Sequence, residues 1–327
     1  MRCFFSVIPH LGRRRKYDIL HCHFGMHGLI AMYMKQLGAI EGPILVTFHG
    51  YDVNGWPKKY GSKSYRALFN FADQFTANTH YTGQKAINLG CDPERIKILP
   101  VGVNLNLFPY QERKLYPDKK IEILTVGRLV EKKGISYSIR AMRILKEKNL
   151  DFRYRIVGDG PLSDQLQQLI SDLELENEVL LLGGLPRDQV INLYRETDLF
   201  ILASVTAMNG DQEGQGLVLQ EAQAMGIPVI STLHNGIPDG VRHGETGFLA
   251  PEKDSQSLAD YLLYLIQNPE EYKKMSRSAH QFIQEEYDIH HLNNQLIDMY
   301  RNLIHPESVN SEIKPQLVSQ SGGTGHA

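Results

Sequence analysis

Short apolar runs rich in β-branched residues alternate with stretches of helical period along most of the chain. That is the pattern of buried parallel strands joined by helices. Asp18–Phe24 (DILHCHF) predicts the first strand and Met26–Leu37 the first helix. Ile44–Phe48 (ILVTF) predicts a second strand, ending on His49-Gly50. A helix over Ser62–Ala72, a strand over Gln74–Thr79, a helix over Thr82–Leu89 and a strand over Ile96–Leu99 continue the series. Asn104–Lys120 breaks it. Pro109, Pro117 and scattered charges leave no period there, which places a domain linker in that stretch.

The alternation restarts with a strand over Ile121–Val126 and a helix over Ile135–Lys148. Strands over Arg153–Val157, Val179–Leu182, Leu199–Ala203 and Pro228–Ser231 follow, with helices over Leu162–Leu173, Arg187–Glu196 and Gly216–Met225 between them. Two further helices lie beyond Ser255, and a last one covers His290–Ile304. From His305 to Ala327 the chain is polar and rich in Pro, Ser and Gly, which predicts a disordered tail. Two doubly wound α/β units in tandem place ligands at the carboxyl ends of strands, in the cleft between the units.

A chain of 327 residues is long enough for two domains, and 42% hydrophobic residues supply two cores. Lys and Arg total 35 against 37 Asp and Glu, for a formal charge of −2, so no nucleic-acid-binding surface is advertised. Cys3, Cys22 and Cys91 are odd in number and lack CxxC spacing. They read as free thiols of a cytoplasmic protein, not as a disulfide or zinc framework. No apolar run reaches the ~18–20 residues of a membrane span. The opening Met1–Lys16 is broken by Pro9-His10, and its basic cluster Arg13–Lys16 follows the apolar stretch, contrary to a secretory signal. That cluster reads first as a solvated turn, with peripheral contact at an anionic membrane surface left open.

The chemistry concentrates on strand-to-helix turns of the second unit. Strand IEILTV ends in Gly127-Arg128, and Lys132-Lys133-Gly134 precedes the next helix. A glycine for close backbone approach beside fixed positive charge suits a diphosphate, although a solvated basic turn would look the same. The next strand ends in Gly158-Asp159-Gly160-Pro161, which leaves room for a ribose or base against backbone. The third segment is DQEGQGLVLQEA, with Glu213 in a loop and Glu221 inside a helix. Its glycines aim the backbone N–H groups of Gly216, Leu217 and Val218 at an anion. Each signal is weak alone; their order on successive turns is not.

With VGRLVEKKG, VGDGPL, EGQGLVLQEAQAMGIPVIST and HNGIPDGVRHGETGFL in that order, residues 121–251 resemble the nucleotide-sugar half of retaining GT4 glycosyltransferases of GT-B fold. SVTAMNGDQEGQGL is most similar to transferases that build bacterial exopolysaccharides such as colanic acid. The resemblance implies two Rossmann-like domains facing a cleft. Residues 1–117 would form a partial acceptor-side domain and 118–287 the nucleotide-sugar domain. Residues 288–305 would form a helix packing back on the first domain, with 306–327 as the tail.

It also implies roles. Arg128 and Lys133 would neutralise the donor diphosphate, Glu221 would bind ribose hydroxyls and Glu213 the transferred sugar. Gly127, Gly158, Asp159 and the Gly183-Gly184 turn would border the nucleotide. TFHGYD matches the first domain's strand end, so His49 would contact the sugar and Asp52 would support its loop. His21 and His23 would line the cleft or buttress it, with packing the favoured reading. The donor would be a nucleotide-diphosphate sugar, with no cofactor or metal, and the acceptor a glycan or lipid-linked oligosaccharide at the inner face of a membrane.

The match departs from the family in three places. The family begins with a strand and glycine-rich loop ahead of the segment matched by DILHCHF, so roughly two units of ~30 residues are expected before it. That leaves a catalytically inert nucleotide-sugar binder as the alternative function. Gln215-Gly216 lies where the exopolysaccharide relatives favour a proline nearby, and Pro238-Asp239 replaces a usual Pro-Glu.

Overall fold

The computed structural model describes residues 14–116 and 119–305. In the first half, β2 (Leu20–His23), β4 (Ile44–Phe48), β5 (Gln74–Ala77) and β6 (Ile96–Ile98) form a parallel four-stranded sheet in that order. A separate parallel pair joins β1 (Arg15–Lys16) to β3 (Ile40–Glu41). Four helices connect these strands: α1 (Gly25–Gln36), α2 (Tyr51–Tyr60), α3 (Arg66–Phe71) and α4 (His80–Asn88). Every residue of β4 is buried, and Ile44, Val46 and Phe48 share one core with Met32, Leu68 and Phe75. Helix α1 approaches closely because Gly25 and Gly28 face β4. A Cβ on Gly25 would stand 2.6 Å from the Phe48 ring, and one on Gly28 2.9 Å from Val46.

In the second half, β7 (Ile121–Val126), β8 (Phe152–Val157), β9 (Val179–Leu181), β10 (Leu199–Leu202), β11 (Val229–Thr232) and β12 (Gly247–Ala250) pair in parallel, in the order β12-β11-β10-β7-β8-β9. The chain builds outward from β7 in one direction and from β10 in the other. The crevice therefore opens at the strand ends between β7 and β10. Alternate residues feed the two faces: Ile123 and Ile201 enter one core, Leu124, Phe200 and Leu202 the other. Helices α5 (Ile135–Glu147), α6 (Ser163–Asp172), α7 (Arg187–Glu196), α8 (Leu217–Ala224), the short α9 (Ile237–Gly240), α10 (Ser255–Gln267) and α11 (Pro269–Glu286) complete this half. The last helix, α12 (Ile289–Ile304), returns to the first sheet, where the Tyr300 hydroxyl lies 2.6 Å from His21 Nδ1.

Ile44–Phe48, Ile121–Val126 and Arg187–Glu196 have their expected bounds. Helix α2 was not expected, because Gly55 and Pro57 argue against a helix. It forms because Asp52 in its first turn accepts from the backbone N–H groups of His49 and Gly50 at 3.0 Å and of Gly25 at 3.0 Å. Strand β12 also went unseen, since four residues beginning with glycine carry no period. Arg15–Lys16, expected in a solvated turn, pairs as β1 instead, and Arg14 forms an ion pair with Glu41. The tail after His305 and Cys3 lie outside the described residues.

Among its described residues the predicted linker has no regular element, yet it is anchored. Val103 and Phe108 enter one core of the second half and Leu115 the other. Arg113 is buried and donates to the carbonyls of Tyr194 (3.1 Å), Arg195 (2.8 Å) and Thr197 (3.1 Å), and through Nε to Met225 (3.2 Å). It thereby supplies donors to the Arg195 and Thr197 carbonyls at the end of α7 and shares the Tyr194 carbonyl with Thr197 N–H. Arg113→Met keeps the aliphatic stem and removes these bonds. It is expected to cost roughly 2–4 kcal/mol in urea unfolding; a loss under about 0.5 kcal/mol would contradict this anchoring role.

Candidate active site

Strands β7, β8 and β9 end side by side, and backbone hydrogen bonds lock their turns together. Gly127 N–H donates to Val157 O (2.9 Å), Leu129 N–H to Asp159 O (2.9 Å) and Gly158 N–H to Gly183 O (2.8 Å). Gly158 has φ 138°, and a Cβ there would collide with Gly127 O, so glycine is required. The Asp159 carboxylate lies against Gly183 and Gly184. Gly127, Gly158, Asp159, Gly183 and Gly184 thus form one continuous wall.

At the crevice between β7 and β10, a single 3-10 turn, Glu131–Lys133, leads into Gly134 at φ 60°. A Cβ on Gly134 would collide with Ala203 O, so this turn presses on the end of β10. Lys133 Nζ meets Glu213 Oε2 at 2.7 Å, with both side chains largely buried at 12% and 14% exposure. Burial alone would raise the Glu213 pKa, but Lys133 and then Lys132 outweigh it and hold the carboxyl below its ordinary range. Lys132 itself pairs with Asp211 at 3.2 Å. Arg128 is exposed and makes no ion pair among the described residues.

Helix α8 starts at Gly216 (φ 73°) with no side-chain cap, which leaves the first-turn N–H groups of Leu217 and Val218 without intrahelical partners. One turn further, Glu221 accepts a hydrogen bond from the buried Tyr194 hydroxyl at 3.1 Å, and burial raises its pKa. Glu213 and Glu221 therefore sit in different electrostatic settings within one crevice.

Sequence reasoning missed His234. It is fully buried at the end of β11 and accepts the Glu213 backbone N–H at Nε2 (3.0 Å). Its Nδ1 lies 2.6 Å from Glu252 Oε1, so the proton belongs on Nδ1 and is donated to that carboxylate. Glu252 in turn accepts from Thr206 N–H at 2.8 Å. The polar residue in HNG was the available signal, but its partner across the strand end lies 18 residues away.

On the opposite wall, His49 stands at the end of β4, with its Nε2 2.9 Å from His23 Nδ1. His21 packs as expected, 2.7 Å from Thr47 Oγ1 and against Tyr300. His23 was expected to pack too; it lies on the same face of β2, its ring 4.4 Å from that of His21, but at the exposed end of the strand, where it pairs with His49. The walls meet at two glycines: a Cβ on Gly50 would be 3.5 Å from Gly214 Cα, and one on Gly214 2.8 Å from His49 O. The two departures from the family motif are cross-cleft contacts. Gln215 exchanges hydrogen bonds with both backbone groups of Val101 at 2.8 Å, and Asp239 accepts from His80 N–H at 2.6 Å.

A tandem of Rossmann-like units with a basic, helix-ended crevice is the architecture of a GT-B glycosyltransferase. Family comparison agrees: residues 109–282 match the family described as glycosyl transferases group 1, and residues 2–107 match glycosyltransferase family 4. The chain belongs to the group 1 glycosyltransferases. It is 35% identical over 288 residues to the putative colanic acid biosynthesis glycosyltransferase WcaL of Escherichia coli, covering 88% of this chain and 71% of that one. It is 35% identical to the amylovoran biosynthesis glycosyltransferase AmsK of Erwinia amylovora, covering 88% and 70%. With the Salmonella typhimurium WcaL the identity is 37% over 74% of this chain, which spans only 60% of that relative. The crystal structure of Anabaena HepE with UDP and glucose superposes with a TM-score of 0.75 at 22% identity, covering 92% of this chain and 81% of that one. No helix among the described residues is long and apolar enough to cross a membrane.

Burial, reinforced by His23, lowers the His49 pKa to about 4, and burial with His23 and His49 does the same for His21. Histidine titration by NMR is expected to give midpoints near pH 4 for these two rings. The unfolded chain takes up these protons first, near pH 6.5. The two rings therefore add no pH dependence above that value and withdraw stability as pH falls from 6.5 towards 4. Midpoints at 6 or above would show that the rings are not desolvated.

Proposed function

We propose that the protein is a retaining glycosyltransferase that moves a sugar from a nucleotide-diphosphate sugar to a hydroxyl of a glycan or lipid-linked acceptor in exopolysaccharide assembly. The observation that carries this reading is the buried Lys133–Glu213 pair at 2.7 Å, at the strand-order switch point and next to the backbone contact of Gly214 with His49. The names of the WcaL and AmsK relatives support the exopolysaccharide setting. The UDP and glucose bound by HepE support a nucleotide sugar as donor.

In this reading the glycine wall receives the nucleoside and Glu221 the ribose hydroxyls. Lys133, Arg128 and the N–H groups of Leu217 and Val218 take the charge of the departing diphosphate, where a divalent metal would otherwise act. Glu213, kept ionised, accepts hydrogen bonds from the hydroxyls of the transferred sugar. His49, uncharged at neutral pH, contacts the sugar near the reacting carbon without repelling a developing positive charge. The acceptor hydroxyl attacks on the face that the phosphate leaves. The new C–O bond forms as the old one breaks, and the hydroxyl proton passes to the departing phosphate oxygen. A covalent carboxylate intermediate is not required. A cytoplasmic location at the inner membrane face would suit a lipid-linked acceptor.

A UDP-, GDP- or ADP-sugar at 100 times its dissociation constant is expected to stabilise the protein by about 2.7 kcal/mol, read as a rise in melting temperature. No rise with any of them would end this reading, and binding without hydrolysis or transfer would favour an inert binder. Lys133→Ala and Glu213→Gln are each expected to lower kcat by roughly 10²–10³-fold. His234→Ala, which only positions Glu213, should lower kcat by about 10–100-fold while the nucleotide-induced melting shift persists.

A further inference from the structure

Helix α2 and the 209–212 loop enclose a cavity of about 430 Å³, within the ~300–1,000 Å³ span of small-molecule sites. Tyr51, Asn54, Lys58 and Lys59 line one side; Asp211 and Gln212 face them. The cavity starts where the proposed reaction centre ends. Tyr51 follows His49 by two residues on one wall, and Gln212 immediately precedes Glu213 on the other. Because Gly50 and Gly214 are in contact between these residues, the cavity lies beside the crevice that His49 and Glu213 border.

The charge of this cavity is one-sided. Asp211 is the single acid in its lining, and Lys132 already neutralises it at 3.2 Å. Lys58 and Lys59 have no carboxylate partner among the described residues. The Lys58 ammonium reaches over the cavity to Gly210, where a Cβ would collide with it, while Lys59 lies 5.5 Å from the Tyr60 ring. Two lysines in the last turn of a helix are often no more than solvated partners of its dipole. Here they project into a concave site whose only acid is already neutralised. The Tyr51 side chain is half exposed, and its ring lies across Gly55, where a Cβ would stand 2.5 Å away. That ring offers a flat apolar face of the kind on which a sugar packs.

We propose that this cavity is the acceptor subsite, in which Lys58 and Lys59 select an acceptor carrying an anionic group, a sugar carboxylate or a phosphate, while Tyr51 supports the sugar face. The proposal rests on the glycosyltransferase reading above and adds the chemical class of the acceptor. The acceptor hydroxyl then points towards the crevice between His49 and Glu213, and its anionic group remains at the α2 end.

The test uses the full chain saturated with UDP or GDP, whichever raises its melting temperature, so that the donor phosphate site is filled. Methyl glucuronide, glucose 1-phosphate and methyl glucoside are then titrated by saturation-transfer NMR. At least one anionic probe is expected to bind about tenfold more tightly than the glucoside, as a charge-assisted contact implies. The glucuronide and phosphate arms separate the two sources of charge. The double variant Lys58→Gln/Lys59→Gln should lose that preference while keeping the nucleotide-induced melting shift. Equal binding of all three probes, no binding of either anionic probe, or a preference that survives in the variant would overturn the proposal. Absence of any melting shift with nucleotide sugar in the wild-type chain would instead strike the donor reading on which it rests.

Discussion

The site depends on the close approach of two backbones across the cleft. Gly50 and Gly214 meet there, and a side chain on Gly214 would not fit, since its Cβ would sit 2.8 Å from His49 O. This contact brings the end of β4, with His49, to the loop after β10, with Glu213. Both glycines are held from behind. Asp52 gathers the N–H groups of His49 and Gly50, and His234 fixes the Glu213 N–H. A larger residue at Gly214 would separate the walls before it changed any charge, and one at Gly50 would be strained by its φ of 111°.

The electrostatics follow from that geometry. In a largely buried crevice an unpaired carboxylate would be expected to take up a proton, and Glu213 escapes this because Lys133 is 2.7 Å away. Glu221 has a phenol instead of a cation as its partner, and its pKa moves in the opposite direction. The same desolvation keeps His21 and His49 uncharged at neutral pH. Lys132, Lys133 and Arg128 therefore supply fixed positive charge beside Glu213 and the β7 end, despite a formal net charge of only −2.

The two halves are joined by more than the expected linker. Val103 bonds to Tyr287 O at 2.7 Å, and Ile289 N–H returns to Val103 O at 3.0 Å, so both chain crossings between the halves run side by side. Gln215 and Asp239, which depart from the family pattern, both bind backbone of the first half. Their side chains are chosen by cross-cleft partners that no motif of the second half contains.

The strand-to-helix alternation was legible because a strand buried on both faces reads as an apolar run, as Ile44–Phe48 and Ile121–Val126 do. Candidate site residues were legible wherever the chemistry is local: a glycine turn, a lysine after it, a helix start after DQEGQG. Helix α2 and β12 were not, because one is anchored by bonds from Gly25, His49 and Gly50, outside the helix, to its Asp52, and strand pairing supplies the other. His234, Gln215 and the pairing of His23 with His49 were also beyond reach, since each is defined by a partner remote in sequence. The sequence alone determined which turns carry charge and backbone N–H groups. Tertiary structure decided which of them meet, because a hydrogen bond or ion pair depends on distance in space, and only the packed sheets set that distance.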